Sequence, residues 1–218
     1  MDQAFMKEKK ILPLVISMSL PMVISMCVNS LYNIVDSFFV AKLSEDAMTA
    51  LSLVFPVQNF VNSVAVGFGI GINAVMAIRL GGGDKKNSDK AASQGVMLSI
   101  LHGIILTFVC IFGMPLFLSL FTDNENIINM AVEYSNTAFL FSVIINVEIA
   151  FEKIVQAVGK MKVSMFSLIC GCITNIVLDP IFILYMGMGV AGAAIATVIG
   201  NISTVIFYLI YLKKGKTI

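Results

Sequence analysis

The sequence predicts an all-α polytopic membrane protein, a six-transmembrane-helix bundle. Three observations carry that expectation. Hydrophobic residues make up 58% of the chain against 12% charged, and the mean hydropathy is +0.95, which excludes an ordinary water-soluble globule. Apolar runs of about 20 residues or more, enough to cross a bilayer as helices, recur along the chain and leave little of it for a soluble domain. Basic residues gather between these runs and form no stripe interleaved with aromatics. The net charge of +1 therefore gives no reason to expect a nucleic-acid partner.

Six spans are expected, at 11–41, 47–79, 92–120, 127–152, 163–185 and 190–212, within a single transmembrane domain over 1–218. The leading MDQAFMKEKK is followed by a long apolar run with no small-residue cleavage site, so the first span is expected to stay rather than be removed. Pro21 in the first span and Pro56 in the second each remove a backbone donor, and bends are expected at both. Gly81, Gly82, Gly83 and Asp84 end the second span in a flexible loop, and Thr122–Asn126 forms a polar turn before the fourth.

Orientation follows from the lysines and arginines of the short loops. Lys7, Lys9 and Lys10 precede the first span, and Arg79, Lys85, Lys86 and Lys90 join the second to the third. Lys153, Lys160 and Lys162 join the fourth to the fifth, while Lys213, Lys214 and Lys216 follow the sixth. Thirteen of the 14 basic residues thus share one side, and only Lys42 is left on the other. Both termini are expected in the cytoplasm, with Glu45, Asp46, Asp123 and Glu125 outside, as in a multi-pass protein of the plasma membrane.

This topology converts sequence position into depth. Asp36, in LYNIVDSFFV, lies about five residues before the outer end of the first span, and Asp179, in CGCITNIVLDPIFILY, about six before that of the fifth. Both carboxylates are expected about 8–10 Å below the outer boundary, with Thr197 of the sixth span at nearly the same level. Asn175 and Tyr32 lie roughly one turn deeper.

Faces agree with depths. Ser25, Asn29, Tyr32, Asn33 and Asp36 recur at three- and four-residue intervals along the first span. Ser164, Ser167, Gly171, Thr174, Asn175 and Asp179 do so along the fifth, and Ala193, Thr197, Gly200, Asn201 and Thr204 along the sixth. Polar stripes cannot face lipid cheaply, so all three are expected to point inward, into packed protein or a wet cavity.

Ionisable residues inside a membrane mark function more often than architecture. Two carboxylates at one level in a low dielectric cannot both ionise freely, so the pair is expected to take up cations or protons. Carboxylate, amide and hydroxyl oxygens also suit a hard cation such as Na+ at Asp36, Asn175, Asp179 and Thr197. Pro180 should weaken the helix after Asp179 and free the carbonyl of Ile176 as a further acceptor. The bland alternative has Asp36 and Asp179 merely tying helices together through Asn and Thr. Tyr32 either donates its hydroxyl to Asp36 or simply packs.

Other signals are assigned to structure. Tyr134, Tyr185, Tyr208 and Tyr211 fall near span ends, as an interfacial belt would have them. Cys27, Cys110, Cys170 and Cys172 all lie in apolar runs and read as small buried hydrophobes, not as a disulfide or metal framework. GMGVAG at Gly187–Gly192 has no preceding soluble strand and is not a nucleotide site. Gly67 and Gly71 fit a small-xxx-small helix contact, and His102 stands alone in the third span as a packing residue. Glu148 and Glu152 sit near the cytoplasmic end of the fourth span beside Lys153, where snorkelling and pairing suffice. No Ser/His/Asp, Cys/His or phosphate-loop arrangement appears, so no enzyme is expected.

Four stretches together resemble a known family: PLVISMSLPMVISMCVNSLYNIVDSFFVAKL, GFGIGINAVMAIRLGGGD, NIVLDPIFI and GVAGAAIATVIGN. They look like the N-terminal lobe of a MATE (multidrug and toxic compound extrusion) transporter, over nearly the whole chain. The resemblance implies one lobe of a two-lobe, twelve-helix fold that exchanges drugs or other amphipathic small molecules for H+ or Na+, with no other cofactor. It also implies that Asp36, Asn175, Asp179 and Thr197 form the cation or proton site, supported by Tyr32, Asn33 and Asn201. Pro21 would be the point at which the first helix bends when that site is protonated. Alone the chain supplies half of a cleft. Its expected partners are therefore an organic substrate, the bilayer and a second six-helix lobe, from a continuing chain or another copy.

Two alternatives were weighed. A related lipid-linked glycan flippase would favour basic residues in the central cavity, and none is visible in the sequence. An intramembrane aspartyl protease would pair Tyr directly with its first Asp and place Gly-x-Gly before the second. Here Val35 precedes Asp36, and Ile176 to Leu178 precede Asp179.

Overall fold

The computed structural model describes residues 10–214 and is helical almost throughout. Lys7, Lys9 and Lys216, invoked for orientation, and the leading MDQAFMKEK lie outside the described residues. The helices are α1 (Ile11–Ala41), α2 (Glu45–Gly81), α3 (Lys85–Leu118), α4 (Glu125–Leu140), α5 (Ser142–Ala157), α6 (Met161–Pro180) and α7 (Gly189–Lys214). A π-helical turn, Ile181–Tyr185, follows α6 directly.

Local chemistry explains where these helices start and stop. The Ser44 hydroxyl accepts from the Ala47 amide at 3.0 Å, with Glu45 and Asp46 in the first turn of α2 to complement its dipole. Asp84 opens α3 in the same way, accepting from Asn87 N at 3.3 Å and Asn87 Nδ2 at 2.7 Å. Those bonds hold its carboxyl below the usual range, helped by Arg79 at 3.8 Å. Between α2 and α3 the chain must reverse, and Gly83 does so at φ +78°, a conformation other residues rarely adopt.

The fourth expected crossing is not one helix. It is α4 and α5, 16 residues each, interrupted at Phe141. The interruption coincides with a close approach to α3, where a Cβ on Gly103 would lie 2.6 Å from Val143 Cα. Thr107 Oγ1 donates to the Phe139 carbonyl at 3.0 Å, occupying an acceptor at the end of α4. The other five expected crossings are each long and apolar enough to span a bilayer.

Helix α1 packs chiefly along α6, α2 against α3 and α5, and α7 against α6, α4 and α5. The core falls into two clusters. The larger joins Val40, Leu51, Val54, Met114, Leu118 and Ala193 with their neighbours at one end of the bundle; the smaller joins Ile72, Met76, Ala92, Ala150 and Ile154 at the other. Ile11, Phe112, Leu116 and Tyr185 are among the large apolar side chains left exposed, as a lipid-facing surface requires.

Several packing expectations need correction. A Cβ on Gly67 or Gly71 would meet nothing within 4 Å; Gly69 makes the contact instead, where a Cβ would lie 2.7 Å from Lys153 Cγ. Tyr208 is buried rather than interfacial, 6.3 Å from the Phe151 ring between centroids. Cys27 is exposed on α1, unlike Cys110 and Cys172. His102 packs as expected, its ring tilted 49° to that of Phe68 with centroids 3.8 Å apart.

Candidate functional site

The site is built on the crossing of α6 and α7. A Cβ on Gly171 would collide with Thr204 Oγ1 and stand 3.0 Å from the Gly200 carbonyl, so the two backbones touch where only glycine fits. One turn further along α6, that approach brings Asn175 against Thr197. The Asn175 amide is assigned from its neighbours: its nitrogen donates to Asp179 Oδ2 at 3.0 Å, and its oxygen accepts from Thr197 N at 3.1 Å and Thr197 Oγ1 at 3.2 Å. Asn175 and Asp179 are buried, and Thr197 is half-buried. Immediately after Asp179, Pro180 ends α6 and the chain widens into the π turn, closed by Met186 N donating to the Ile181 carbonyl at 2.8 Å.

Asp36 reaches this region from α1. It is only 7% exposed, and its Oδ1 has no hydrogen-bond partner. A buried carboxylate oxygen left unpaired is costly, which marks a position where a ligand or proton is due. Tyr32, half-buried one turn away, does not cap that oxygen.

Asp36, Asn175 and Thr197 open onto one cavity of about 830 Å³, while Asp179 lies outside its lining. Tyr32 and Asn201 also line it, together with Phe55, Phe139 and Leu168. Among the described residues its charged lining is wholly acidic: Asp36, Glu148 and Glu152, with no lysine or arginine. Oxygen donors for a hard cation are thus at hand. No group of three His, Cys, Asp or Glu side chains is placed to hold a metal among the described residues.

Asn33 lines the cavity too, its exposed amide donating back to Asn29 O at 2.8 Å and Asn29 Oδ1 at 2.7 Å. Two side chains lie elsewhere than the sequence suggested. Tyr134, expected in an interfacial belt, is 3% exposed, lines the cavity and accepts from Gln58 Nε2 at 3.0 Å. Glu148, expected to snorkel near the span end, faces the cavity. Only Glu152 makes the expected pair, with Lys153 at 3.2 Å. The one sequence signal for Glu148 and Tyr134 is polarity within an apolar stretch, and a position near a span end disguises it.

Known proteins resemble this chain in sequence and in shape. The MatE family profile matches residues 21–181. Multidrug export protein MepA of Staphylococcus haemolyticus is 26% identical over 98% of this chain and 48% of its own length. MepA of Staphylococcus aureus is 27% identical over 92% and 45%. The chain therefore spans about half the length of these curated relatives. Among solved structures, the outward-facing conformation of a multidrug resistance MATE family transporter of the MOP superfamily superposes with a TM-score of 0.90. It is 31% identical over 94% of this chain and 46% of that one. A MOP superfamily transporter from Pyrococcus furiosus, described as having a binding pocket of reverse polarity, gives 0.89 at 31% identity over 94% and 45%. With its helices and its matched stretch in agreement, this chain belongs to the MATE (MatE) family of multi-pass membrane transporters.

Proposed function

We propose that the chain forms the ion-coupling lobe of an exporter of amphipathic organic molecules, driven by inward movement of H+ or Na+. The observation that carries this reading is the buried, unpartnered Asp36 Oδ1 on the same cavity as Asn175 and Thr197, with Asp179 directly behind. Loading a proton or cation there supplies the missing partner and changes how α1 sits against α6. Asn175 suits both states, because turning its amide exchanges a donor for an oxygen facing Asp179 without moving the helix. Asp36 and Asp179 are the loading groups, Asn175 and Thr197 the neutral ligands, and Tyr32 and Asn201 shape the cavity wall.

With the basic loops inward, both termini are cytoplasmic and the ion site lies toward the outside. Alternating access requires a second lobe across the cavity, and the half-length match to MepA fits that requirement. An acidic lining with no basic residue suits cationic cargo and disfavours an anionic lipid-linked glycan.

Proteoliposomes containing the intact transporter test the reading. An imposed proton or Na+ gradient should drive efflux of a fluorescent organic cation, and Asp36→Asn or Asp179→Asn should abolish it with insertion unchanged. Gradient-driven efflux at the normal rate by both variants would reject the mechanism.

A further inference from the structure

We propose that Glu148 is the charge-recognising residue of the cavity, a carboxylate on α5 that takes the cationic group of the organic cargo apart from the Asp36, Asn175 and Asp179 group. The assignment rests on the export reading above and gives its cargo selectivity to one side chain.

Glu148 and Asp36 line the same cavity from different helices. One turn along α5, Glu152 is already committed: Lys153 Nζ lies 3.2 Å away and Gln156 Nε2 donates to the same oxygen. No lysine, arginine or histidine pairs with Glu148 among the described residues. Nor does any basic side chain line the cavity to serve it from across the space. A carboxylate half-buried at membrane depth without a counter-charge is unfavourable until a positive group arrives.

An independent observation says that the countercharge is to come from outside the protein. Asp36, 7% exposed on the same cavity, also has an oxygen with no partner. Two acids, one on α1 and one on α5, are thus both left without a counter-charge, Glu148 having only the neutral Thr204 hydroxyl beside it, in a space whose volume falls within the range of about 300–1,000 Å³ that holds drug-sized ligands. The two differ in their surroundings. Asp36 shares its region with the Asn175–Asp179–Thr197 network, whose oxygens suit a small ion. Glu148 stands beside Thr204 and Glu152 instead, and Ile145, Leu168 and Phe139 of the same lining offer apolar surface for the body of an amphipathic cation. Separate carboxylates let ion and cargo be exchanged without competing for one group.

Equilibrium binding to the intact purified protein tests this, using tetraphenylphosphonium as the cationic probe and triphenylphosphine oxide as a neutral one. Glu148→Gln should weaken tetraphenylphosphonium binding about tenfold or more and leave the neutral probe within about twofold, which also shows the cavity is still formed. Glu148→Asp, keeping the charge, should recover most of the loss. Equal weakening of both probes, or of neither, overturns the assignment and leaves the export reading standing. So does a Glu148→Gln protein that loses H+- or Na+-driven transport while keeping its affinity for tetraphenylphosphonium. Wild-type protein that binds neither probe sinks the export reading and this assignment together.

Discussion

The two walls of the cavity are held in opposite ways. On one side α6 and α7 meet backbone to backbone at Gly171 and Gly200, and Ser167, Asn175 and Asp179 are buried along the seam. On the other, α1 buries only Pro21, Asp36 and Val40 of its 31 residues. Asn175 is fixed by bonds to two neighbours, whereas Asp36 Oδ1 has none. One wall is a close backbone seam and the other a helix that packs along α6 while burying few of its own side chains. A coupling site assembled across such a boundary can be made or unmade by moving α1 alone, at little cost in core packing.

The strongest way to break this contrast is at Asp36. Because asparagine has the same shape and Asp36 Oδ1 makes no bond to lose, Asp36→Asn should lower gradient-driven efflux by about a hundredfold or more while the melting temperature in detergent stays within a few degrees. A large drop in melting temperature would mean that α1 is structural after all. Gly171→Val should do the reverse. Its added methyls meet Thr204 and the Gly200 carbonyl, so the folded state should lose about 1–3 kcal/mol, read by thermal unfolding. The native cysteines report the same difference without mutation. A small maleimide that partitions into the detergent micelle should label exposed Cys27 of α1 about tenfold faster than buried Cys172 of α6, followed by mass spectrometry. Comparable rates would show that the seam opens as readily as α1 moves. The smallest effect belongs to Asn33→Ala, which trims one exposed lining side chain and its bonds to Asn29 one turn back but leaves every acid in place. Transport by that variant should remain within about twofold of the unmodified protein.

What the sequence revealed divides along the same line. Long apolar runs broken by charged loops forecast the helices, because in a membrane every backbone group must be satisfied within its segment. The facing of Asn175 and Asp179 was legible because polar residues three and four apart define one side of α6. Pairwise geometry was not. Asn33 shares the stripe of Asp36 yet bonds backward, since Asn29 lies within its reach. Ala65, Gly67, Gly69 and Gly71 offered small residues in two phases of α2, and the approach of Lys153 and Ile149 picked Gly69. Phe141 carries no Pro or Gly to announce a break; the cause lies on α3, at Gly103. Tyr134 and Glu148 occupy positions where an interfacial residue and a cavity residue look alike in sequence, and only the packing of α4 and α5 separates them.

The length of α1 ties the proposed coupling site to its surroundings. At 31 residues the helix is about 46 Å long, against a hydrocarbon core of about 30 Å. Such an excess is taken up by leaning, bending or projecting, and the few side chains that α1 buries leave it room to adjust with the surrounding lipid. For the proposed ion site, the height of Asp36 relative to Asn175 would then vary with acyl-chain length, and lipid thickness would become a control on ion affinity.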